Sequence, residues 1–379
     1  MKKSIVLALA LITLSFSAFS QDTTKTFTLS GSVDTYVRTA LGTTNNFAGY
    51  GPSSSFADLK GFSLGMFNLI ASYSGERSGF VGDIVFGPRG QAAVFGTASG
   101  QAVINQMYGY YKLSDKVTLN MGQFNTFLGY EVISPTINVN YSTSYLFSYG
   151  PFNHTGLRAD FDFGDGLVGK LSIMNPTDIV EFNPVNTYTL GAQIGKTGDF
   201  GGVWLNFLYG DQDGTLDEDD FHLDEDGEFV TSAGSTFQVD LTAGFNISES
   251  FYLGVNTSLQ QTATGEAFTA PGTIADVDGD ASSFFGIAVY PKFTLSESFA
   301  LGLRGEYFSV KNAHLDIFGL DAGDGDVIEF TVSGNWKVGG LTIIPELRLD
   351  KTSEDSFTDK DGEPTDQMLS ATLAAVYKF

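Results

Sequence analysis

The chain of 379 residues contains no cysteine. No disulfide can therefore hold the fold, and its stability must come from hydrogen bonding and packing alone. The lack of cysteine also excludes a lipid-modified N-terminus, because that modification needs a cysteine at the cleavage site.

Basic residues and histidines are scarce. There are 20 Lys and Arg against 44 Asp and Glu, so nucleic acid is not an expected partner, because phosphate binding needs a basic surface. The three histidines, His154, His222 and His314, all lie at or near predicted loops. The sequence carries no zinc-ligand cluster, glycine-rich nucleotide loop or nucleophile motif beside them. We therefore predict that the protein is not an enzyme.

Long apolar runs are also missing. The apolar stretch Ile5–Phe16 follows Lys2 and Lys3 and ends shortly before Ala18 and Ser20. It is shorter than the roughly 20 residues that a membrane-spanning helix needs. This pattern predicts a signal peptide at residues 1–20 and a mature chain of residues 21–379. The mature chain is then periplasmic, secreted or an outer-membrane barrel.

Apolar and polar residues alternate along many segments of the sequence. In the last segment, Leu369–Phe379, apolar side chains such as Leu373 and Tyr377 occupy one face, and Thr372 and Lys378 occupy the other. A strand that ends the chain on Phe resembles the C-terminal signal of bacterial outer-membrane barrels. That resemblance implies the barrel-assembly machinery as a partner through Phe379. A soluble β-sandwich can also end on such a strand.

Sixteen alternating segments recur along the chain, from Phe27–Arg38 to the terminal one; one of the shortest is Phe285–Val289. Their connections alternate between short and long: Ser114–Lys116 is typical of the seven short ones and Asp211–Ala233 of the eight long ones. Outer-membrane barrels have this alternation, whereas a sandwich has no reason to keep its long loops at one end. The sequence predicts an all-β, transmembrane, antiparallel up-and-down β-barrel of about 16 strands in the outer membrane, with short periplasmic turns and long external loops.

Charged residues lie on the face opposite the apolar one, and charges facing lipid cost roughly 2–4 kcal/mol near the midplane. We therefore expect the charged side chains of the strands to line the lumen. The pore-lining candidates are Asp34, Arg38, Arg158, Asp160, Lys170, Arg304, Glu306, Glu346 and Arg348. Such charges either set ion preference or pair with each other and brace the wall. Pro345, which lacks an N–H, predicts a local bulge.

A central motif resembles a known family. Met121-Gly-Gln-Phe-Asn-Thr-Phe-Leu-Gly-Tyr-Glu131, followed by Asn140–Gly156, resembles the core motif of the OmpL-like putative β-barrel porins of Gram-negative bacteria. Gly31–Asp34 and Pro345–Asp350 are similar to that family's flanking motifs. The resemblance implies a porin-type channel and leaves the solute unspecified.

The third long loop, Asn125–Thr155, combines many aromatic residues with one acidic residue and no Lys or Arg. An exposed aromatic loop of that size favours aggregation, so we expect it to fold into the barrel and constrict it. The constriction-loop candidates are Glu131, Tyr141, Tyr145, Phe147, Asn153 and His154. The alternatives are a loop that plugs or braces the wall and an external adhesive tip.

The other long loops hold most of the acid. The segment Asp211–Glu228 contains ten carboxylates and no Lys or Arg. Asp-x-Asp-Gly runs occur at Asp211–Gly214, Asp224–Gly227, Asp276–Gly279 and Asp359–Gly362. Calcium loops use this spacing, but none of these runs has the complete pattern, and solvated acidic turns are the alternative. We expect no other cofactor.

The function predicted from the sequence is a porin-like channel for passive diffusion of small hydrophilic solutes or ions. Acidic loops concentrate cations at the mouth and favour cation preference. The alternative is a non-conducting surface protein whose external loops bind a partner or lipopolysaccharide. The expected surroundings are outer-membrane lipid and lipopolysaccharide, and both a monomer and a homo-oligomer are compatible with the barrel.

Overall fold

The computed structural model of the chain forms one closed barrel of sixteen antiparallel strands. It describes residues 25–43, 54–94, 103–183, 187–211, 235–263, 268–270, 273–274, 281–313 and 323–379. The predicted signal peptide, His222 and His314 lie outside these residues.

The barrel strands follow one another around the wall in chain order. They are β1 Thr26–Leu41, β2 Gly61–Ser74, β3 Ser78–Phe86, β4 Ile104–Ser114, β5 Val117–Asn125, β6 Asn153–Gly164, β7 Leu167–Met174, β8 Thr189–Gly198, β9 Gly201–Asp211, β10 Ser235–Asn246, β11 Phe251–Thr262, β12 Ser282–Ser296, β13 Phe299–Ala313, β14 Gly323–Val338, β15 Leu341–Thr352 and β16 Gln367–Lys378. Strand β16 pairs with β1 and closes the barrel, and the main chain of Phe379 bonds that of Gly31 at 3.0 and 3.1 Å. The predicted fold class is confirmed.

The alternation of the sequence becomes the two faces of the wall. Leu347 on β15 and Leu373 on β16 are 46% and 49% exposed on the outer surface. Their neighbours Glu346 and Thr372 point inward and are buried. The outside of the barrel is thus an apolar surface, and the inner face combines polar side chains with buried apolar ones such as Phe308 and Ile344.

Two details of the strands differ from prediction. Strand β12 runs from Ser282 to Ser296, well beyond the predicted Phe285–Val289, because main-chain pairing with β11 continues through the apolar inward residues Phe284 and Tyr290, where polar and apolar side chains do not alternate. The bulge predicted at Pro345 is wrong. The pairs Ser333↔Glu346 and Trp336↔Ile343 keep one register on either side of it, and Pro345 pairs with β16 without a shift.

The two ends of the barrel are different. We call the end of the barrel that carries the short turns the turn rim; β1 begins there and β16 ends there. The opposite end, with the long connections, is the loop rim. At one turn, Ser248 Oγ accepts the N–H of Ser250 at 3.3 Å and that of Phe251 at 3.1 Å. The same Ser-Glu-Ser sequence recurs at Ser296–Ser298 in another short turn.

Little helix accompanies the strands. The described connections contain α1 Pro88–Ala93 and α2 Tyr145–Tyr149, and two small strand pairs, Phe268–Ala270 with Thr273–Ile274 and Phe357–Thr358 with Pro364–Thr365. Over the described parts of the chain, every helix is too short or too polar to cross a membrane.

Candidate functional site

The connection between β5 and β6, residues 126–152, runs through the interior of the barrel, and we call it the lumen loop. Tyr141 and Tyr145 are fully buried. The Tyr141 hydroxyl donates to Asp34 Oδ2 on β1 at 2.6 Å, and the Tyr145 hydroxyl to Asp350 Oδ1 on β15 at 3.0 Å. The loop therefore crosses the lumen from β5 and β6 to the opposite strands, β12 to β16 and β1, which we call the far wall.

Carboxylates of the far wall hold the main chain of this loop. Glu346 accepts the N–H groups of Tyr141 at 2.7 Å and Ser142 at 3.1 Å. Glu306 accepts those of Tyr145 at 2.8 Å and Leu146 at 2.7 Å. Buried N–H groups need partners, and here wall side chains supply what a helix or sheet would otherwise supply.

Arginines bind the carbonyl groups of the same segment. Arg304 donates to the carbonyl of Ser142 at 2.7 Å and forms ion pairs with Glu131 at 2.9 Å and Glu329 at 2.8 Å. Arg348 donates to the Thr143 carbonyl at 2.8 Å. Each buried guanidinium thus has both carboxylate and carbonyl partners, as a buried ion needs. Loop and wall are thus joined by one continuous network of hydrogen bonds and ion pairs.

A second set of contacts holds the start of the lumen loop. A chain of hydrogen bonds of 2.5–2.8 Å crosses five neighbouring strands, β7 to β11. Its members are Lys170, Gln193, Asn206, Asp240 and Asn256. Asp240 also accepts the N–H of Gly129 at 3.0 Å. We call strands β4 to β11 the near wall. Its side chains therefore hold the lumen loop where the loop leaves β5.

Glycines make room for the loop. A Cβ on Gly302 would lie 2.2 Å from Val139, and one on Gly254 would lie 2.3 Å from the Tyr130 ring. Both glycines face inward, so the absence of a side chain lets the loop contact the wall directly. Gly65 leaves the same kind of space for the Asp34 carboxylate.

A second connection also enters the barrel, which the sequence did not indicate. Phe56, from the β1–β2 connection, packs against Phe147 and Phe152 at ring distances of 5.5 and 5.6 Å. Arg89 of α1 lies 4.8 Å over the rings of both Phe56 and Tyr141 and donates to the Tyr141 carbonyl at 3.0 Å. Nothing in the sequence of this long connection, in which three serines precede Phe56, distinguishes it from a solvated loop.

The nine pore-lining candidates fall into two groups. Six are only 2–5% exposed and contact the in-folded segments or the wall: Asp34, Arg38, Arg304, Glu306, Glu346 and Arg348. The other three lie on the near wall. Arg158 forms a two-pronged bond to Asp160 at 2.8 and 3.0 Å, with side chains 12% and 31% exposed, and Lys170 donates to Gln193. The partly exposed charges are therefore grouped on β6 and β7.

The loop candidates Glu131, Tyr141, Tyr145 and Phe147 lie inside the barrel and are buried. Asn153 and His154 are the first residues of β6, so the loop ends before them, contrary to the predicted boundary. His154 Nε2 bonds the Thr126 hydroxyl at 3.0 Å, and its ring packs 5.7 Å from Phe127. Asn153 Nδ2 donates to the carbonyl of Ala93 at 2.7 Å. Both residues anchor the ends of the loop.

Asp178, in the β7–β8 connection, was not predicted. Its Oδ1 accepts the N–H groups of Phe152 at 2.9 Å and Asn153 at 2.7 Å, where the lumen loop joins β6. Burial raises the pKa of this carboxyl to about 7. Glu329, Asp350 and Asp240 were also not among the candidates, although the alternation that selected Arg304 places them inward as well.

The described acidic turn shows no cation-binding geometry. Asp359 Oδ1 accepts the N–H groups of Asp361 at 2.8 Å and Glu363 at 2.9 Å, and these bonds lower the pKa of Asp359. Within the described ranges no group of three or more His, Asp or Glu side chains is arranged to hold a metal ion. The Asp-x-Asp-Gly runs near residues 211, 224 and 276 lie wholly or mostly outside those ranges.

Comparisons with known proteins agree with this architecture. A family model described as "Putative beta-barrel porin-2, OmpL-like" matches residues 26–379. No curated protein matches the sequence. The structure is similar to the outer membrane channel DcaP of Acinetobacter baumannii, with 13% identity, a TM-score of 0.61, and 95% of this chain and 99% of that chain covered. It is also similar to the anion-selective porin from Comamonas acidovorans, with 12% identity, a TM-score of 0.56, and 94% of this chain and 100% of that chain covered. A third similar structure is OmpT of Vibrio cholerae in its trimer form, with 11% identity, a TM-score of 0.56, and 94% of this chain and 99% of that chain covered. At these identities the likeness concerns the fold.

Proposed function

Because the chain belongs to the OmpL-like family of putative β-barrel porins, and is thus an outer-membrane channel of the porin type, we propose that small hydrophilic solutes and ions diffuse passively along its near wall. In an outer-membrane barrel the turn rim faces the periplasm and the loop rim faces outward. The observation that carries the proposal is the partial exposure of the Arg158–Asp160 pair, while the charges of the far wall are sealed.

The proposed path follows β4 to β8. Arg158, Asp160 and Lys170 line it, and the half-buried Tyr108 lies beside them. The middle of the lumen loop, from Val139 to Leu146, lies on the opposite side, against β12 to β16, where its polar groups bond the wall. The start of the loop is bonded by Gln193 on β8 and Asp240 on β10. We assign the selection of solutes to the width of the remaining space and to these few charges.

A cation preference fits the balance of charge. Asp83 accepts hydrogen bonds from the amide groups of Asn105 at 2.8 Å and Gln106 at 3.2 Å, and Asp240 is bonded by amides in the same way. Among the described residues no Lys or Arg forms an ion pair with either carboxylate. Both carboxylates are buried, so they act on the path through the low-dielectric wall rather than by contact, and negative charge there raises the local cation concentration.

Single-channel recording in planar bilayers tests this proposal. We expect discrete conductance steps and a cation-selective reversal potential in a salt gradient. Asp160→Asn should lower the cation preference and Lys170→Gln should raise it. Lys196→Gln is the matched control, because Lys196 faces outward and bonds the Asp165 carbonyl. An absence of steps would favour the non-conducting surface protein, and an anion-selective reversal potential would contradict the charge argument.

We propose that the protein has no enzymatic activity. We also propose that it forms a homo-oligomer. The bonds and ring packing of His154 support a structural role for that residue. The trimer form of the similar OmpT supports association of copies of this chain. Light scattering of the protein in detergent, with the detergent mass subtracted, distinguishes one copy from several. Lipopolysaccharide at the outer loops and recognition of Phe379 by the barrel-assembly machinery stay predictions.

A further inference from the structure

Lysines gather inside the periplasmic mouth. Four lysines near the turn rim have the inward parity of their strands: Lys112 on β4, Lys292 on β12, Lys337 on β14 and Lys378 on β16. Lys292 is two residues from the buried Tyr290, and Lys337 is two residues from Asn335, whose amide bonds the lumen loop at 3.0 Å. We call Lys292, Lys337 and Lys378, on alternate strands of one arc, the lysine arc.

The lysine arc is not neutralised by ion pairs. None of its three ammonium groups forms an ion pair with a carboxylate of the described residues. Lys337 is close enough to act electrostatically on Lys292. Two like charges held near each other without a counter-charge make a positive potential at the mouth. The acidic residues of the neighbouring turns, such as Glu249 and Glu297, are exposed beyond the strand ends.

The external mouth has the opposite sign. The connection between β15 and β16 carries six carboxylates and a single Lys360: Glu354, Asp355, Asp359, Asp361, Glu363 and Asp366. Asp324 and Asp326 begin β14 at the same rim.

We infer that the channel is electrically bipolar and rectifies, passing more current when the external side is positive. The inference rests on the proposed function. With the external side positive, cations enter through the acidic mouth and anions through the lysine arc, so both accumulate in the pore. With the opposite polarity each ion must enter through the mouth that repels it, and the pore is depleted of carriers.

Salt concentration sets the size of the effect. Screening lengths are about 10 Å at 0.1 M salt and about 3 Å at 1 M. Surface potentials of several kT persist at the lower concentration. We therefore expect currents at +100 and −100 mV that differ by about twofold at 0.1 M KCl and agree at 1 M.

The test uses single channels, so that opposite insertions do not average. The protein has no cysteine, so an Asp355→Cys variant labelled from one side with a bulky maleimide reports orientation. The triple variant Lys292→Gln, Lys337→Gln, Lys378→Gln should remove the asymmetry at 0.1 M. The double variant Lys116→Gln, Lys196→Gln is the control at the same rim, because Lys116 is in a turn and Lys196 faces outward and bonds the Asp165 carbonyl.

The outcomes separate the two proposals. A complete absence of conductance steps overturns the channel itself. A normal conductance with equal currents at both polarities in 0.1 M KCl overturns the rectification alone, as does an asymmetry that survives in the triple variant or disappears in the double variant. Lys337→Gln, at an exposed position, repeats the test with one change and should reduce the asymmetry in part.

Discussion

Replacement of Glu346 by alanine tests whether the wall holds the lumen loop. Glu346 accepts three buried bonds: from the Tyr141 N–H at 2.7 Å, the Ser142 N–H at 3.1 Å and the Ser333 hydroxyl at 2.7 Å. Each buried donor left without a partner costs roughly 1–3 kcal/mol. Keeping the loop in place would thus cost roughly 3–9 kcal/mol. We expect local opening at residues 141 and 142 to relieve part of this cost, while the barrel stays folded.

Amide hydrogen exchange measures this release. A local opening made easier by about 3 kcal/mol speeds exchange of the Tyr141 and Ser142 amides by about 100-fold. Glu346→Gln keeps one acceptor oxygen and should have a smaller effect. Glu249→Ala, in an exposed turn, is the control. If Glu346→Ala left the exchange of both amides unchanged, the assigned role of the wall carboxylates would be wrong.

Three further changes test neighbouring contacts. Gly302→Ala pushes a methyl group into Val139 and should destabilise the protein by about 1–3 kcal/mol. Gly305→Ala is the control, because Gly305 is on the outer face, where the atom nearest to a new Cβ is 3.6 Å away. Melting temperatures compare the two variants. Tyr141→Phe removes the hydrogen bond to the Asp34 carboxylate and should lower the free energy of unfolding by about 1–3 kcal/mol, again measured from melting temperatures. The number of conductance steps should stay the same. The raised pKa of Asp178, about 7, means that the folded state binds a proton which the unfolded state releases between about pH 4 and pH 7. Stability should therefore fall as pH rises through that window, and Asp178→Asn should flatten the slope of melting temperature against pH; an equal slope in both proteins would contradict the assignment.

The sequence was sufficient for the wall and insufficient for the interior. Alternation assigned Arg304 and Glu346 to the inner face correctly, because period two leaves a strand residue only two directions. Whether an inward charge meets water or a loop depends on contacts between residues far apart in the chain, such as Glu306 with Leu146. For that reason the candidates on the far wall could not be separated from Arg158 and Lys170 before the loop was placed.

The interior also depends on residues that carry no signal of their own. Phe56 enters the barrel because Arg89 and the lumen loop provide a surface for it, and neither is near it in sequence. The contact of Gly302 with Val139 is equally invisible in a strand where glycine is common. Packing of this kind is a property of the assembled barrel.

Cysteine modification of two inward residues during single-channel recording locates the path through the barrel. Lys170→Cys places a thiol on the proposed path, and Ser333→Cys places one beneath the lumen loop, where the native side chain is fully buried. We expect a charged, water-soluble thiol reagent to lower the current through the Lys170→Cys channel and to leave the current through the Ser333→Cys channel unchanged. Modification that lowered only the Ser333→Cys current would place the path on the wrong side of the barrel.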